Sequence, residues 1–226
     1  MTSLLEKFIS VIAPHTCFLC SKENNVLCDE CFAEVFDENH EACFACNLPT
    51  VDGELCVSCD LKSQLSRVWL AGTYDGPRRE LIKLYKFERR RAAYMPLADA
   101  LDRALPYLEG MVVVPIPTAT RRVRVRGYDH VALVAKELAG RRGWRYEPAL
   151  YRKHNLRQVG ASRELRARQA ATAYGLGGVA KLADKRVLLI DDVVTSGATL
   201  QAAASVISLA KPKEIMAAAI TKQILS

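Results

Sequence analysis

Four apolar residues in a row, Val187-Leu188-Leu189-Ile190, run straight into two carboxylates, Asp191 and Asp192. The chain then continues as Val193-Val194-Thr195-Ser196-Gly197-Ala198-Thr199-Leu200. A short run of branched apolar side chains without polar alternation reads as a strand buried on both faces, and such strands belong to parallel sheets covered by helices. The fold class is therefore α/β. The small residues Thr195 to Thr199 predict a turn, followed by an Ala-rich helix over Leu200–Leu209. A loop passing from strand to helix aims several backbone N–H groups in one direction. With the hydroxyls and the positive end of the helix dipole, it forms a phosphate cradle. Two adjacent carboxylates beside that cradle are spaced to accept hydrogen bonds from vicinal ribose hydroxyls. The chain contains no Gly-Lys-Ser or Gly-Lys-Thr, which argues against a P-loop triphosphate site. The plainer alternative is a capped turn with Asp191 and Asp192 merely solvated, and two acids directly after a fully apolar strand count against it.

The same stretch resembles the phosphoribosyl diphosphate (PRPP) motif of type I phosphoribosyltransferases. That resemblance implies a PRPP site made of Asp191, Asp192, Val193, Val194, Thr195, Ser196, Gly197, Ala198 and Thr199, with the two aspartates at the reacting centre.

All eight cysteines lie in the first sixty residues as four Cys-x-x-Cys pairs: Cys17/Cys20, Cys28/Cys31, Cys43/Cys46 and Cys56/Cys59. Two sulfurs on one tight knuckle bind a single tetrahedral metal, and two knuckles complete a four-coordinate zinc. The segment repeats, with Cys-Phe-Leu-Cys, seven residues and Cys-Asp-Glu-Cys answered by Cys-Phe-Ala-Cys, nine residues and Cys-Val-Ser-Cys. This predicts two consecutive zinc ribbons using neighbouring pairs, with a cross-braced arrangement left open by spacing alone. Closed Cys₄ sites offer no open coordination position, so both zinc ions are expected to be structural. Disulfides fit a reducing compartment poorly, and four pairs exceed what a thiol oxidoreductase uses. His15 and His40 are surplus to the ligand count and read as surface residues.

Charge divides the chain at the same place. Residues 1–64 hold 3 Lys+Arg against 11 Asp+Glu, a balance of −8, leaving 29 against 14, or +15, for residues 65–226. A basic body suits phosphate-rich ligands or nucleic acid, although a run such as Arg89-Arg90-Arg91 also serves as an ordinary solvated face. The expected organisation is an N-terminal helix and double zinc ribbon over 1–64, then a ligand-binding domain over 65–226. Met1–Ile12 carries Leu4, Leu5, Phe8, Ile9 and Ile12 on one helical face and lacks a small-residue cleavage site, so a docked amphipathic helix fits better than a signal peptide. No apolar stretch approaches the roughly 20 residues of a membrane span, and a cytoplasmic location is expected.

Along the body, Arg67–Tyr74 predicts a strand. Pro77 opens a helix over Arg78–Phe87, and a second helix covers Tyr94–Leu108, together forming a hood beside the main sheet. Lys83 and Lys86 face either the ligand or solvent. Met111–Ile116 is a second buried strand whose exit, Pro115-Ile116-Pro117-Thr118-Ala119-Thr120, leads to a loop bearing Arg121, Arg122, Arg124 and Arg126. Loops at the carboxyl edge of a parallel sheet are where ligands bind, and this one has the charge to meet a pyrophosphate. Gly127-Tyr128-Asp129-His130 opens the helix Val131–Arg141, and His130 reads as a ligand contact at the helix N-terminus or, as a lone histidine, as a polar neighbour of the cap. Trp144–Leu150 is a short strand region. Tyr151–Ala173, with Arg152, Lys153, His154, Arg157, Gln158, Arg163, Arg166 and Arg168, has the composition of a lid that closes over a diphosphate. Glu214–Thr221 supplies the last apolar strand.

Taken in this order, the features resemble the ComF family of competence proteins, including the GntX relatives, over nearly the whole chain. The resemblance implies a mostly parallel, type I phosphoribosyltransferase-like sheet flanked by helices, with a small N-terminal double zinc-ribbon domain. The family carries Arg-Gly-Phe-Asn-Gln where this chain has Arg126-Gly127-Tyr128-Asp129-His130. Its lid pattern of Gln, Arg and Asn is matched by Gln158, Arg166 and Gln169. Thr118, Arg121, Arg122, Arg126, Gln158 and Arg166 are then the expected pyrophosphate and lid contacts, with Mg²⁺ bound alongside PRPP. The implied function is a PRPP-binding phosphoribosyltransferase-like protein in DNA uptake and natural transformation, whose acceptor no residue identifies. Its partners would be PRPP, single-stranded DNA and other DNA-uptake proteins. The alternative is a single-stranded DNA-binding accessory protein whose PRPP site is regulatory or vestigial.

Overall fold

The computed structural model describes residues 15–37, 41–88, 90–153, 173–177 and 182–224. The helix expected over Met1–Ile12 and the lid residues from His154 to Gln169 lie outside the described residues. Five strands form the main sheet: β1 (Val68–Leu70), β2 (Met111–Pro115), β3 (Arg145–Tyr146), β6 (Arg186–Val194) and β7 (Glu214–Lys222), in the order β1-β7-β6-β2-β3 and all parallel. A separate antiparallel pair joins β4 (Leu150–Arg152) and β5 (Tyr174–Leu176) on either side of residues 153–173.

The apolar runs behave as fully buried strands should. Val187, Leu188, Leu189 and Ile190 are all sealed from solvent, and their side chains alternate between two separate cores. One core holds Leu188 and Ile190 with helices α3 (Gly76–Phe87), α4 (Tyr94–Ala104) and α6 (His130–Arg141). The other holds Val187 and Leu189 with α7 (Ala198–Ile207). The structure thus has three layers, helix on sheet on helix. The two cysteine ribbons part company across it. Buried residues of the first, including Phe32 and Val35 of helix α1 (Asp29–Val35), join the α3/α4/α6 core, whereas Phe44 of the second joins the α7 core. Helix α2 (Val57–Asp60) is a single turn carrying Cys59.

Two local expectations change. The helices α3 and α4 do not form a hood beside the sheet; Leu81, Ile82, Leu97 and Leu101 are buried directly against it. The arginine loop after β2 is instead helix α5 (Thr120–Arg126), ended by Gly127 at φ 88°. Gly127 accepts that left-handed conformation without a Cβ penalty, which lets the chain reverse at once into α6. Asp129 caps α6, its carboxylate accepting the N–H groups of Val131 and Ala132. Among the described residues, no helix is long and apolar enough to cross a membrane.

Candidate functional site

At the carboxyl edge of the sheet a cavity of about 360 Å³ opens between β2, β6, α3 and the β4/β5 pair. Its lining includes Thr118, Arg122, Arg126, Arg152, Asp191, Asp192 and Thr199. Strand β6 runs through both aspartates to Val194, longer than the sequence suggests. The two carboxylates therefore leave the strand on opposite faces and meet different surroundings.

Asp192 turns toward α3 and α6. Lys86 Nζ reaches its Oδ2 at 2.7 Å, and His130 Nε2 contacts the same oxygen. Burial opposes the negative charge, but these two partners outweigh it and hold the carboxyl below the usual range. The His130 ring is fixed from behind. Its Nδ1 faces the Arg126 guanidinium and lies 3.1 Å from the Thr118 hydroxyl, and its backbone carbonyl accepts the Tyr85 hydroxyl at 2.8 Å. A guanidinium can only donate, so Nδ1 accepts and the proton sits on Nε2, pointing at Asp192.

Asp191 accepts the Asp192 backbone N–H at 2.9 Å. Burial, then repulsion from ionised Asp192, pushes its carboxyl up to about 8. Folding therefore retains a proton there that the unfolded chain, near the ordinary value of 3.8, gives up. The resulting destabilisation is absent below about pH 4, grows as pH rises, and is complete above about pH 8. Asp191→Asn is expected to raise the melting temperature by a few degrees at pH 8 and by much less at pH 4. Thermal denaturation at the two pH values checks this, and an equal shift at both would refute it.

Beyond the acids, Thr195, Ser196, Ala198 and Thr199 are exposed, and buried Gly197 turns the chain with φ 75°. No side chain caps α7, so its leading N–H groups are open to an external acceptor. The cavity also carries the cations Lys86, Arg122, Arg126 and Arg152. Arg121 and Arg122 are exposed on α5; Arg122 lines the cavity, and both arginines, with Lys86, Phe87, Val125 and Arg126, line an adjoining recess of about 390 Å³. Arg126 is 8% exposed, and its Nε donates to the Lys86 carbonyl at 2.6 Å, so it braces His130 while lining the cavity. Thr118 is likewise engaged, its hydroxyl donating to Asp129 at 3.0 Å. Gln158 and Arg166 lie outside the described residues.

Sequence reasoning leaves Lys86 undecided between ligand and solvent and His130 between a ligand contact and a polar neighbour of the cap; the structure joins them on Asp192. The available signal was Asp129, whose suitability as the cap frees His130 for another contact.

In the head, Cys17, Cys20, Cys28 and Cys31 converge, as do Cys43, Cys46, Cys56 and Cys59, with all sulfurs of a set within 4.8 Å of one another. Each ribbon thus uses neighbouring pairs. Zinc bonds of about 2.3 Å in a tetrahedron place sulfurs about 3.8 Å apart. The Cys20–Cys28 and Cys46–Cys56 separations of 3.6 and 3.4 Å fit that donor set. At Cys17 and Cys43, burial resists ionisation, but knuckle N–H groups aimed at sulfur bring both thiols down to about 6. Burial and the neighbouring cysteines push Cys59 up to about 12. One thiolate per cluster is thus favoured by the backbone alone, while full ionisation requires a cation.

A family model described as "Phosphoribosyl transferase domain" matches residues 131–224. Competence protein F of Haemophilus influenzae is 30% identical over 162 residues, covering 64% of this chain and 68% of that protein. A solved chain described as the allosteric regulatory enzyme of purine biosynthesis aligns at 18% identity and a TM-score of 0.38. That alignment covers 54% of this chain and 24% of the other.

Proposed function

This chain belongs to the family of competence protein F, and on that premise we propose that it is a PRPP-binding phosphoribosyltransferase-like protein acting in DNA uptake. The observation that carries the reading is a single cavity that gathers the acid pair, Thr199 at the uncapped start of α7 and the cations Lys86, Arg122 and Arg152, with Lys86 paired to Asp192. A ribose bearing a phosphate and a pyrophosphate matches that combination of carboxylates, open backbone amides and cations. Lys86 and His130 both occupy Oδ2 of Asp192, which leaves Oδ1 as acceptor for a ribose hydroxyl. Asp191 takes the neighbouring hydroxyl. Val193 and Val194 carry the strand to the bend, where Thr195, Ser196, Gly197, Ala198 and Thr199 hold the 5′-phosphate by amides and hydroxyls. Thr118, Arg122 and Arg126 line the cavity as candidates for the pyrophosphate, with Arg121 in the adjoining recess; Gln158 and Arg166, outside the described residues, are the further contacts that the family pattern implies.

Asp191, which Lys86 and His130 leave unoccupied, fits a Mg²⁺ that is brought in by pyrophosphate oxygens and whose charge would displace the proton held there and neutralise the departing charge. At the anomeric carbon, positive charge develops as pyrophosphate leaves, and the fixed aspartates stabilise it on the ribose side. The adjoining recess beside Phe87 and Arg121 is the place left for an acceptor.

Calorimetric titration of the zinc-loaded protein with PRPP and Mg²⁺ tests the reading: micromolar binding is expected in the wild type and at least a hundredfold loss in Asp191→Asn/Asp192→Asn. Absence of binding in the wild type would overturn it. A second reading, a single-stranded DNA-binding accessory protein, draws support from Phe87, 73% exposed among arginines in that recess. The same titration with an oligonucleotide, repeated at rising salt, separates the two. The relative's name supports a place for this activity beside other proteins of competence.

A further inference from the structure

The second metal ribbon and the phosphate-binding bend are one mechanical unit. Phe44, set between Cys43 and Cys46, is 1% exposed and lies against Gly197, where a Cβ would stand 2.5 Å from its ring. Lys222, the last residue of β7, is 3% exposed. Its ammonium donates to the Phe44 carbonyl at 2.6 Å and to the Thr195 carbonyl at 2.5 Å. Farther along, Gln201 of α7 donates to the Ser63 hydroxyl at 2.9 Å. Burying a lysine on two carbonyls is costly, and the phosphoribosyl reading gives it no task.

Peptide planarity supplies one. In a trans peptide the C=O and the following N–H point in opposite directions. Lys222 holds the Thr195 carbonyl inward, so the Ser196 N–H is aimed outward, toward the place of an anion. The first ribbon packs elsewhere, with Phe32 in the core of α3, α4 and α6 beneath the Arg103 guanidinium at 4.4 Å.

We propose that the second ribbon, when its four cysteines hold a metal, fixes the anion-binding shape of the Thr195–Thr199 bend, with Phe44 and Lys222 as positioning residues. The metal would hold Cys43 and Cys46, their knuckle holds Phe44, and Lys222 ties that knuckle to the peptide of Thr195. Loss of the second metal, and not of the first, then loosens the grip on a sugar phosphate. The proposal rests on the phosphoribosyl reading for the identity of the anion and is independent of it for the coupling.

The test uses the full chain with both metals bound. It compares hydrogen exchange of the Thr195–Thr199 amides with separate titrations of ribose 5-phosphate and magnesium pyrophosphate. In Lys222→Met and Phe44→Leu, bend exchange is expected to rise at least tenfold and ribose 5-phosphate affinity to fall at least tenfold. Pyrophosphate affinity and exchange in β2 and β6 stay within twofold, showing that the body is folded. Lys222→Arg, which keeps a donor, should recover most of the loss. Cys46→Ser should loosen the bend, and Cys20→Ser should not. Unchanged bend exchange in Lys222→Met and Phe44→Leu would overturn the proposal, as would equal loosening by Cys20→Ser. A wild type that binds no ribose 5-phosphate, yet whose bend is loosened by Lys222→Met, would retire the phosphoribosyl reading and sustain the coupling.

Discussion

Gly197→Ala is expected to abolish detectable PRPP binding and to lower the unfolding free energy by about 2–4 kcal/mol. Two effects add at this position. The backbone φ of 75° is one that a residue with a Cβ adopts only at a cost of about 1–2 kcal/mol. The new methyl would also lie 2.5 and 2.8 Å from Cε2 and Cδ2 of Phe44. That ring is buried and cannot swing into solvent, so the bend must move instead. Gly127→Ala provides the comparison, because its φ of 88° imposes similar strain while nothing stands within 4 Å of the added atom. Denaturant titration of both variants should show the larger loss at Gly197. A Gly197→Ala protein as stable as Gly127→Ala, with PRPP affinity intact, would refute the packing argument.

Cys43→Ser is expected to remove one of two bound zinc ions and to lower the melting temperature by more than about 10 °C. Cys43 is fully buried and belongs to the second cluster. Apparent zinc affinities of such sites, about 10–16 kcal/mol, match or exceed the whole stability of an ordinary domain, about 5–15 kcal/mol. A ribbon that lacks its metal therefore has little else to fold around, apart from Phe44 and Leu55 against the α7 core. Metal analysis after gel filtration, with a parallel melting curve, checks the outcome. Retention of two zinc ions by the variant would show that sulfur from Cys43 is not a ligand.

Much of the site was legible because it is local in sequence. Val187–Ile190 announces its double-sided burial through composition, and the bend after Asp192 announces itself through small residues and hydroxyls. The Cys-x-x-Cys spacing gives the clusters for the same reason. What escaped were partnerships across the fold. Lys86 reaches Asp192 over more than a hundred residues of chain, and nothing in Leu84-Tyr85-Lys86-Phe87 distinguishes a lysine facing a cavity from one facing water. His130 stands beside a good capping residue, and the local pattern does not separate a cap neighbour from a ligand contact, nor does it reveal Asp192 as the partner. Thr120–Arg126 has only Val123 and Val125 among arginines, too little apolar periodicity to separate a short helix from a loop. The hood failed as an expectation because burial of Leu81 and Leu97 requires the register of β1 and β7, which only the assembled sheet supplies.

The outer margin of β1 bears on the protein's behaviour in metal-poor conditions. That margin is covered by the second ribbon: the Gly53 carbonyl accepts the Val68 N–H at 2.7 Å, and Asp52 accepts the Trp69 indole N–H at 3.1 Å. Stripping the ion would peel this cover away and bare an apolar Val-Trp-Leu edge with an unmet donor, a template for intermolecular pairing. An ion held by the second cluster would thus also guard the chain against aggregation, and chelated protein should leave solution as oligomers before its core melts.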